Sequence, residues 1–152
     1  MIELFKSDET LLNRNSSKGN QLKWNNSGIW YKADYTGYEG LSEFLVSHLL
    51  DNSSLDENEF VIYEPEQIRY KSSIYNGVKS RDFLYDDWQI ITLDRLFHTV
   101  YGRKLSEMVW HIHDVKARLE YLVQQVERLT GLRDFGIYMN KLLTVDAFFL
   151  NE

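Results

Sequence analysis

The sequence predicts an α+β protein whose first part is rich in strands and whose second part is helical. Short segments with alternating apolar residues, bounded by turn-forming residues, occupy most of the first 93 residues and enclose one helical segment. From about Asp94 onward, apolar residues recur at helical spacing. Strands and helices that are separated along the chain are typical of α+β proteins, so we expect two parts, residues 1–93 and 94–152.

Composition favours a folded, acidic protein of the cytoplasm. The 152 residues are 43% hydrophobic and 14% aromatic, which supplies material for a core and argues against disorder. The net charge of −6 argues against direct nucleic-acid binding, since phosphate binding needs clustered basic residues. The lack of cysteine excludes disulfides and thiolate metal sites and fits a reducing compartment. We see no signal-peptide pattern and no apolar run long enough to span a membrane.

The strands of the first part are predicted from alternation and from turn residues. IELF is predicted as a strand, NRNSSKGNQ as a polar loop, and QLKW and IWYKADY as a hairpin closed by NNSG. FVIYE and QIRYKSSIYNGVKS are predicted strands around the single proline, Pro65, and WQIITLDRL is predicted as a strand that runs into a helix. Within IWYKA, alternation separates Ile29, Tyr31 and Ala33 on one face from Trp30 and Lys32 on the other.

The helices are predicted from the 3.6-residue period. Residues 38–51 form one helix, LSEMVWHIHDVKARLEYLVQQVERLTG forms another that ends at Gly131, and residues 132–150 form the last. The first helix is expected to turn one apolar stripe inward, made of Leu41, Phe44, Leu45, His48 and Leu49. The inward sets of the other two are Val109, Ile112, Val115, Leu119, Leu122, Val126 and Leu129, and Phe135, Tyr138, Met139, Leu142, Leu143, Ala147 and Phe149.

The histidines do not predict a metal site. His111 and His113 are two positions apart, and on a helix such residues point about 200° apart, so they cannot share an ion. His48 and His98 stand alone on predicted helices, where packing is the ordinary role of a histidine. No cluster of Asp, Glu and His has the spacing of metal ligands, and no nucleophile motif accompanies a histidine.

Three features in order along the chain point to phosphate binding. NSSKGNQ is a glycine-containing loop, and such loops can present backbone N–H groups to phosphate oxygens. Lys32 follows inside a strand, and an acid, Glu39 or Glu43, follows on the next helix. Protein kinases use the order glycine loop, strand lysine and helix glutamate. A solvated hairpin loop and an edge-strand lysine with its ammonium in solvent are the alternative interpretation.

The whole sequence resembles the HipA-like serine/threonine kinase family, in particular its short CtkA-like members that lack an extra N-terminal subdomain. The stretches that carry the resemblance are WYKADYTGYEGLSEFLVSHLL, WQIITLDRLF and LTVDAFFLNE. The resemblance implies a protein-kinase-like N-lobe β-sheet with one long helix, followed by the first helices of an α-helical C-lobe. It also implies ATP and Mg²⁺ as the cofactors of the family.

The resemblance assigns candidate residues to a nucleotide site. SSKGNQLK stands in the place of the family's serine-containing glycine loop, which makes Ser16 and Ser17 candidate phosphosites. Lys32 takes the place of the nucleotide lysine, Glu43 that of its helix acid, with Glu39 as the alternative, and ITLDRLF that of the hinge. The candidate nucleotide-binding residues are Ser16, Ser17, Lys18, Gly19, Lys32, Glu43, Thr92, Leu93 and Asp94.

The last residues of the sequence determine which activity we expect. In the family, a helix that ends like VDAFFLN leads into a catalytic loop of the form N-x-D-x-H-x-x-N, whereas this sequence reads Asn151-Glu152 at that point. We therefore expect a lobe truncated immediately before the catalytic loop, with no catalytic residue, no metal ligand, no phosphotransfer by the isolated chain, and weak or absent ATP binding. One alternative is a non-enzymatic interaction module of a toxin–antitoxin type system, in which self-association or a protein partner covers the C-terminal helix. Another is an α+β domain that shares only its pattern with kinases.

Overall fold

A computed structural model describes residues 1–6, 21–84 and 88–149 and confirms the α+β class. The chain divides into two compact units, Met1–Trp88 and Gln89–Glu152, whereas the sequence analysis placed the division between residues 93 and 94. In the described ranges, the first unit contains five strands and one helix, and the second unit contains four helices.

The first unit is built on a mixed five-stranded sheet. Its elements in chain order are β1 (Ile2–Leu4), β2 (Lys23–Asn26), β3 (Ile29–Ala33), α1 (Glu39–Asp51), β4 (Glu64–Tyr70) and β5 (Ser73–Arg81). The strands lie in the order β1-β4-β5-β3-β2, and all neighbours are antiparallel except the parallel pair β1–β4. Helix α1 connects β3 to β4.

The β2–β3 hairpin closes through a two-residue turn of Ser27 and Gly28, whose φ angles are 54° and 78°. Positive φ at both central residues is the type I′ geometry that matches the twist of the flanking strands. The hairpin prediction is therefore confirmed, but the turn is shorter than NNSG, because Asn25 and Asn26 pair with Trp30 and Ile29 as part of β2.

The predicted alternation along β3 is confirmed. Tyr31 and Ala33 are buried on one face of the sheet, and Lys32 points to the other face, where its ammonium reaches α1. The core on the Tyr31 face is formed by side chains from all strands except β5, with Tyr75 of β5 packed against it. Its buried members are Leu4, Trp24, Tyr31, Ala33, Ile68 and Tyr70.

The strand prediction for FVIYE is wrong, because β4 begins only at Glu64. The single proline, Pro65, lies inside β4 but outside the Ile68–Tyr70 stretch that pairs with β1. Proline lacks a donor for a sheet ladder, and the described pairing of β1 with β4 does not include its position.

The predicted inward face of α1 is also wrong. The buried residues of the helix are Gly40 and Ser47, whereas Leu41, Leu45 and Leu49 are 50%, 50% and 58% exposed. A close approach of helix to sheet explains the difference, because small side chains let two backbones come together.

Two glycines permit close approaches in the first unit. A Cβ at Gly40 would lie 2.9 Å from Asp34 Oδ1 and 3.1 Å from Val78 Cγ1, so the lack of a side chain there lets the start of α1 come near β5. A Cβ at Gly77 of β5 would lie 2.0 Å from the carbonyl oxygen of Lys32, so Gly77 permits the close packing of β5 against β3.

The second unit consists of helices α2 (Leu93–Tyr101), α3 (Leu105–Val109), α4 (Val115–Thr130) and α5 (Phe135–Phe149). Phe97 of α2 and Val126 of α4 are its buried apolar residues in the described ranges, and Tyr101 Oη donates to Gln125 Oε1 at 2.9 Å. The predicted helix end at Gly131 is confirmed, since this glycine caps α4 with φ 76°.

Three predictions for the second unit are wrong. The helix predicted from LSEM to LTG is two helices, because Asp114 begins α4 by accepting a 2.7 Å hydrogen bond from the Ala117 N–H. WQIIT forms no strand; instead, Thr92 caps α2 through a 3.2 Å hydrogen bond from the Arg95 N–H. Several residues of the predicted inward sets are exposed, namely Val115, Tyr138, Leu142, Leu143 and Ala147.

Candidate functional site

Lys32 and Glu43 form an ion pair between the sheet and α1. The Lys32 Nζ lies 2.8 Å from Glu43 Oε1, and the two side chains are 20% and 31% exposed. Lys32 stands on β3, between β5 and β2, and Glu43 is one turn into the helix that follows. The structure therefore brings together the strand lysine and one of the two helix acids singled out in the sequence.

Tyr63 is a second partner of Lys32. Its hydroxyl oxygen accepts a hydrogen bond from the Lys32 ammonium at 2.9 Å, and the ammonium lies 4.5 Å from the centre of the Tyr63 ring. Tyr63 belongs to the segment between α1 and β4, so the Lys32 ammonium is held from a helix and from a connecting segment at the same time.

The start of α1 is tied to the strand that carries Lys32. Asp34, directly after β3, accepts a 2.7 Å hydrogen bond from the Gly40 N–H through Oδ1, and its own N–H donates to the Asn76 carbonyl at 2.8 Å. Because Glu43 follows Gly40 by three residues, the same contact that anchors the helix turns Glu43 toward Lys32.

The environment of Lys32 keeps the ammonium charged. Burial acts to lower the pKa of Lys32, but the neighbouring Tyr63 and Glu43 oxygens, which attract and accept hydrogen bonds from the ammonium, raise this pKa above its usual range overall. At neutral pH the Lys32 side chain is therefore an ammonium ion within its ion pair.

The other carboxylate oxygen of Glu43, Oε2, is buried and has no hydrogen-bond partner in the described part of the chain. A buried acceptor without a partner carries an uncompensated desolvation cost, so this pair is not arranged for maximal stability.

The structure assigns a different role to Glu39, the alternative helix acid. Its carboxylate accepts hydrogen bonds from the Thr36 hydroxyl at 2.7 Å and from the backbone N–H groups of Thr36, Gly37 and Tyr38. These bonds, led by that of the Thr36 hydroxyl, lower the pKa of Glu39 to about 2. Glu39 thus closes the turn before α1, and among the described residues the acid on Lys32 is Glu43.

The remaining candidate residues lie outside the described ranges or in the second unit. Ser16, Ser17, Lys18 and Gly19 lie outside the described residues. The three hinge candidates, Thr92, Leu93 and Asp94, belong to the second unit. The Thr92 carbonyl accepts a hydrogen bond from the Leu96 N–H, and Asp94 Oδ1 accepts one from the Leu105 N–H at 2.9 Å, so both groups stabilise the starts of helices. Leu93 is the first residue of α2.

Sequence reasoning missed the residues that support the pair. Ser47 is 3% exposed, and its hydroxyl donates to the Phe44 carbonyl and accepts from the Tyr63 N–H at 3.1 Å. A signal was available, since Gly40 and Ser47 are small residues two helical turns apart on the face that also carries Glu43. The position of Tyr63 depends on the backbone path of residues 60–63, and no periodic pattern in the sequence predicts that path.

Metal ligands and membrane spans were sought in the same ranges. Across residues 1–6, 21–84 and 88–149, no group of three or more His, Asp or Glu side chains could hold a metal ion. His111 and His113 are exposed and lie between α3 and α4, outside the helix on which they were predicted. None of the helices that the structure describes is long and apolar enough to cross a membrane.

Comparisons with known proteins do not help to interpret this site. No family model, no curated protein and no solved structure matches the chain. The functional argument therefore depends on the Lys32–Glu43–Tyr63 site and on the residues that position it.

Proposed function

We propose that the first unit binds the phosphates of a nucleoside triphosphate in the manner of a HipA-like serine/threonine kinase lobe, with Lys32 as the phosphate ligand. The observation that carries the proposal is the 2.8 Å ion pair from a strand lysine to a glutamate on the next helix. In protein kinases this pairing holds the lysine against the α- and β-phosphates. ATP is the nucleotide that the family resemblance suggests.

The chemistry of the pair suits an anionic ligand. The Lys32 side chain is 20% exposed, and its carboxylate partner restricts the directions in which the ammonium can move. A phosphate oxygen would find a charge-assisted donor here, and hydrogen bonds of this kind are about twice as strong as neutral ones.

The proposal covers nucleotide binding by the first unit and does not extend to phosphotransfer. Transfer also depends on metal ions that bridge the phosphates and on a residue that orients the accepting hydroxyl. Residues 1–6, 21–84 and 88–149 offer phosphate a cation and contain no cluster of metal ligands, so we assign Mg²⁺ to none of them. We expect ATP to bind no more tightly than a dissociation constant of about 1 mM, which corresponds to about −4 kcal/mol.

An acyl phosphate derivative of ATP tests the proposal. The deprotonated fraction of a lysine that lies beside the bound phosphates attacks the acyl carbonyl carbon, the carbon–oxygen bond to phosphate breaks, ATP leaves, and the nitrogen releases a proton to solvent as the amide forms. Proximity to the bound acyl group, and not a low pKa, makes such a lysine react first. We expect Lys32 to be the lysine labelled fastest, with labelling suppressed by excess ATP and lost in Lys32→Met. Mass spectrometry of the digested chain identifies and quantifies the labelled lysine.

Lys79 is the matched internal control for this experiment. It also contacts two acids, with its Nζ 3.4 Å from Glu64 Oε2 and 3.3 Å from Glu66 Oε2. It follows Val78, the register partner of Lys32, and therefore points to the other face of the sheet. Labelling of Lys32 no faster than that of Lys79, or labelling that excess ATP leaves unchanged, would reject the nucleotide site.

A second candidate function, a non-enzymatic interaction module of a toxin–antitoxin type system, is favoured by the exposure of α5. None of the described residues of α5 is buried, and Phe148 is 78% exposed. Large apolar side chains on more than one side of a helix favour contact with another protein surface, because full burial of each contributes about 1.5–3 kcal/mol. The most exposed apolar residues of α5 are Ile137, Tyr138, Leu142, Leu143 and Phe148.

Self-association through α5 is the expected result for the purified chain. Sedimentation at tens of micromolar should show a dimer or a larger species, and Phe148→Ser should shift the distribution toward monomer because it removes an exposed apolar contact. Val115→Ser is the control, since Val115 is 75% exposed at the start of α4 and lies on another helix. A monomeric wild-type chain that binds no hydrophobic dye would contradict the expectation.

A further inference from the structure

Tyr63 is anchored at both its backbone and its side chain. Its N–H donates to the Ser47 hydroxyl oxygen at 3.1 Å, and its own hydroxyl oxygen accepts from the Lys32 ammonium at 2.9 Å. Ser47 is in turn held by its 2.9 Å donation to the Phe44 carbonyl. The residue therefore connects α1, the segment before β4 and the lysine of β3.

The two partners of Lys32 approach its ammonium from different elements. An ammonium has three N–H groups. Glu43 on α1 takes one at 2.8 Å, and Tyr63 on the connecting segment takes a second at 2.9 Å. Two contacts, one from α1 and one from the segment that Ser47 ties to α1, restrict rotation about the last bond of the lysine, which a single salt bridge does not do.

We propose that Tyr63 is a positioning residue that acts with Glu43 to direct the remaining N–H of Lys32 toward an anionic oxygen of the ligand. This inference rests on the proposed nucleotide site and assigns a phosphate oxygen as the ligand atom. It gives Tyr63 a part in recognition without contact between Tyr63 and the ligand.

The hydroxyl of Tyr63, and not its ring, carries this role. A tyrosine that served only to pack against the stem of Lys32 would be replaced without loss by phenylalanine, which keeps the ring that lies 4.5 Å from the ammonium. Tyr63→Phe therefore separates positioning from packing. Tyr31→Phe is the matched control, because Tyr31 precedes Lys32 on β3 and points to the opposite face of the sheet.

The first measurement is made without nucleotide. Nuclear magnetic resonance of the Lys32 side chain, labelled with ¹⁵N and ¹³C, reports its pKa and the motion of its ammonium. We expect Tyr63→Phe to lower the pKa of Lys32 and to increase this motion, because one of its two acceptors is lost. Tyr31→Phe should change neither. Unchanged pKa and motion in Tyr63→Phe would overturn the inference whatever the chain binds.

The second measurement is an ATP titration followed through the same Lys32 resonances. Loss of one positioning hydrogen bond should weaken ATP binding about three- to tenfold in Tyr63→Phe and leave it unchanged in Tyr31→Phe. ATP binding that is equally strong in Tyr63→Phe and wild type would overturn the positioning role. A further outcome is that ATP binds to no variant while the pKa and the motion of Lys32 change as expected in Tyr63→Phe. That result would reject the nucleotide function, but it would still show that the Tyr63 hydroxyl orients Lys32.

Discussion

Gly77→Ala should cost the first unit at least about 3 kcal/mol of unfolding free energy, the largest stability effect that we expect for a one-carbon change. The added Cβ would lie 2.0 Å from the carbonyl oxygen of Lys32 and 3.0 Å from the Ala33 Cα, and both are backbone atoms of a paired strand. Neither can rotate away, so β3 and β5 must separate. Hydrogen exchange of the β3 and β5 amides measures the unfolding free energy of this unit.

Gly28→Ala is the control for the loss of a glycine from the same unit. A Cβ at Gly28 meets nothing within 4 Å, so the cost there is that of a left-handed alanine alone, about 1 kcal/mol. Equal costs at Gly77 and Gly28 would show that the close packing of the two strands is not what Gly77 secures. The displacement of Lys32 in Gly77→Ala should also slow labelling by the ATP acyl phosphate.

The second large effect concerns the Lys32–Glu43 ion pair. We expect the pair to be needed for ligand binding but to add little to the unfolding free energy of the unit. Lys32→Met or Glu43→Leu alone should cost about 1–3 kcal/mol, because each leaves a largely buried charge without its partner. The double variant Lys32→Met/Glu43→Leu should recover to within about 1 kcal/mol of wild type, since it also removes the unpartnered Glu43 Oε2. Acyl phosphate labelling at position 32 is lost in the double variant, because the reacting amine is gone.

A double-mutant cycle on the unfolding free energy tests this separation. Recovery in the double variant corresponds to a coupling energy between the two residues of about 1–5 kcal/mol, the sum of the two single costs less the cost of the double change. Additive costs, with the double variant as unstable as the two single changes summed, would mean that Lys32 and Glu43 stabilise the unit independently. Their separate contributions to stability would then be enough to explain why both residues are present. ATP titration of the double variant, read from backbone amide resonances, should show no binding at the concentrations that saturate wild type.

Local chemistry was enough to predict the parts of the fold that depend on neighbours in sequence. Alternation with period two placed Tyr31 and Lys32 on opposite faces of a strand, and the structure has them so. Gly131 ends its helix because glycine adopts the left-handed conformation at low cost, and this needs no distant contact. The order of a strand lysine followed by a helix acid was also visible in the sequence.

Tertiary structure decided which acid meets the lysine. Glu39 and Glu43 are one helical turn apart, so periodicity alone cannot separate them. The turn at Thr36 engages the Glu39 carboxylate, and the contact of Gly40 with Asp34 brings the next turn of α1 against β3. Glu43 is left as the partner of Lys32.

The same close approach explains why the inward face of α1 was mispredicted. Hydrophobicity placed Leu41, Leu45 and Leu49 inside, but a helix that lies this near to a sheet can bury only residues as small as Gly40 and Ser47. The sequence by itself determined the α+β class, the alternation along β3 and the candidate lysine. The distance between α1 and the sheet arises from contacts between residues far apart in the chain, such as Gly40 with Val78, which local patterns do not encode.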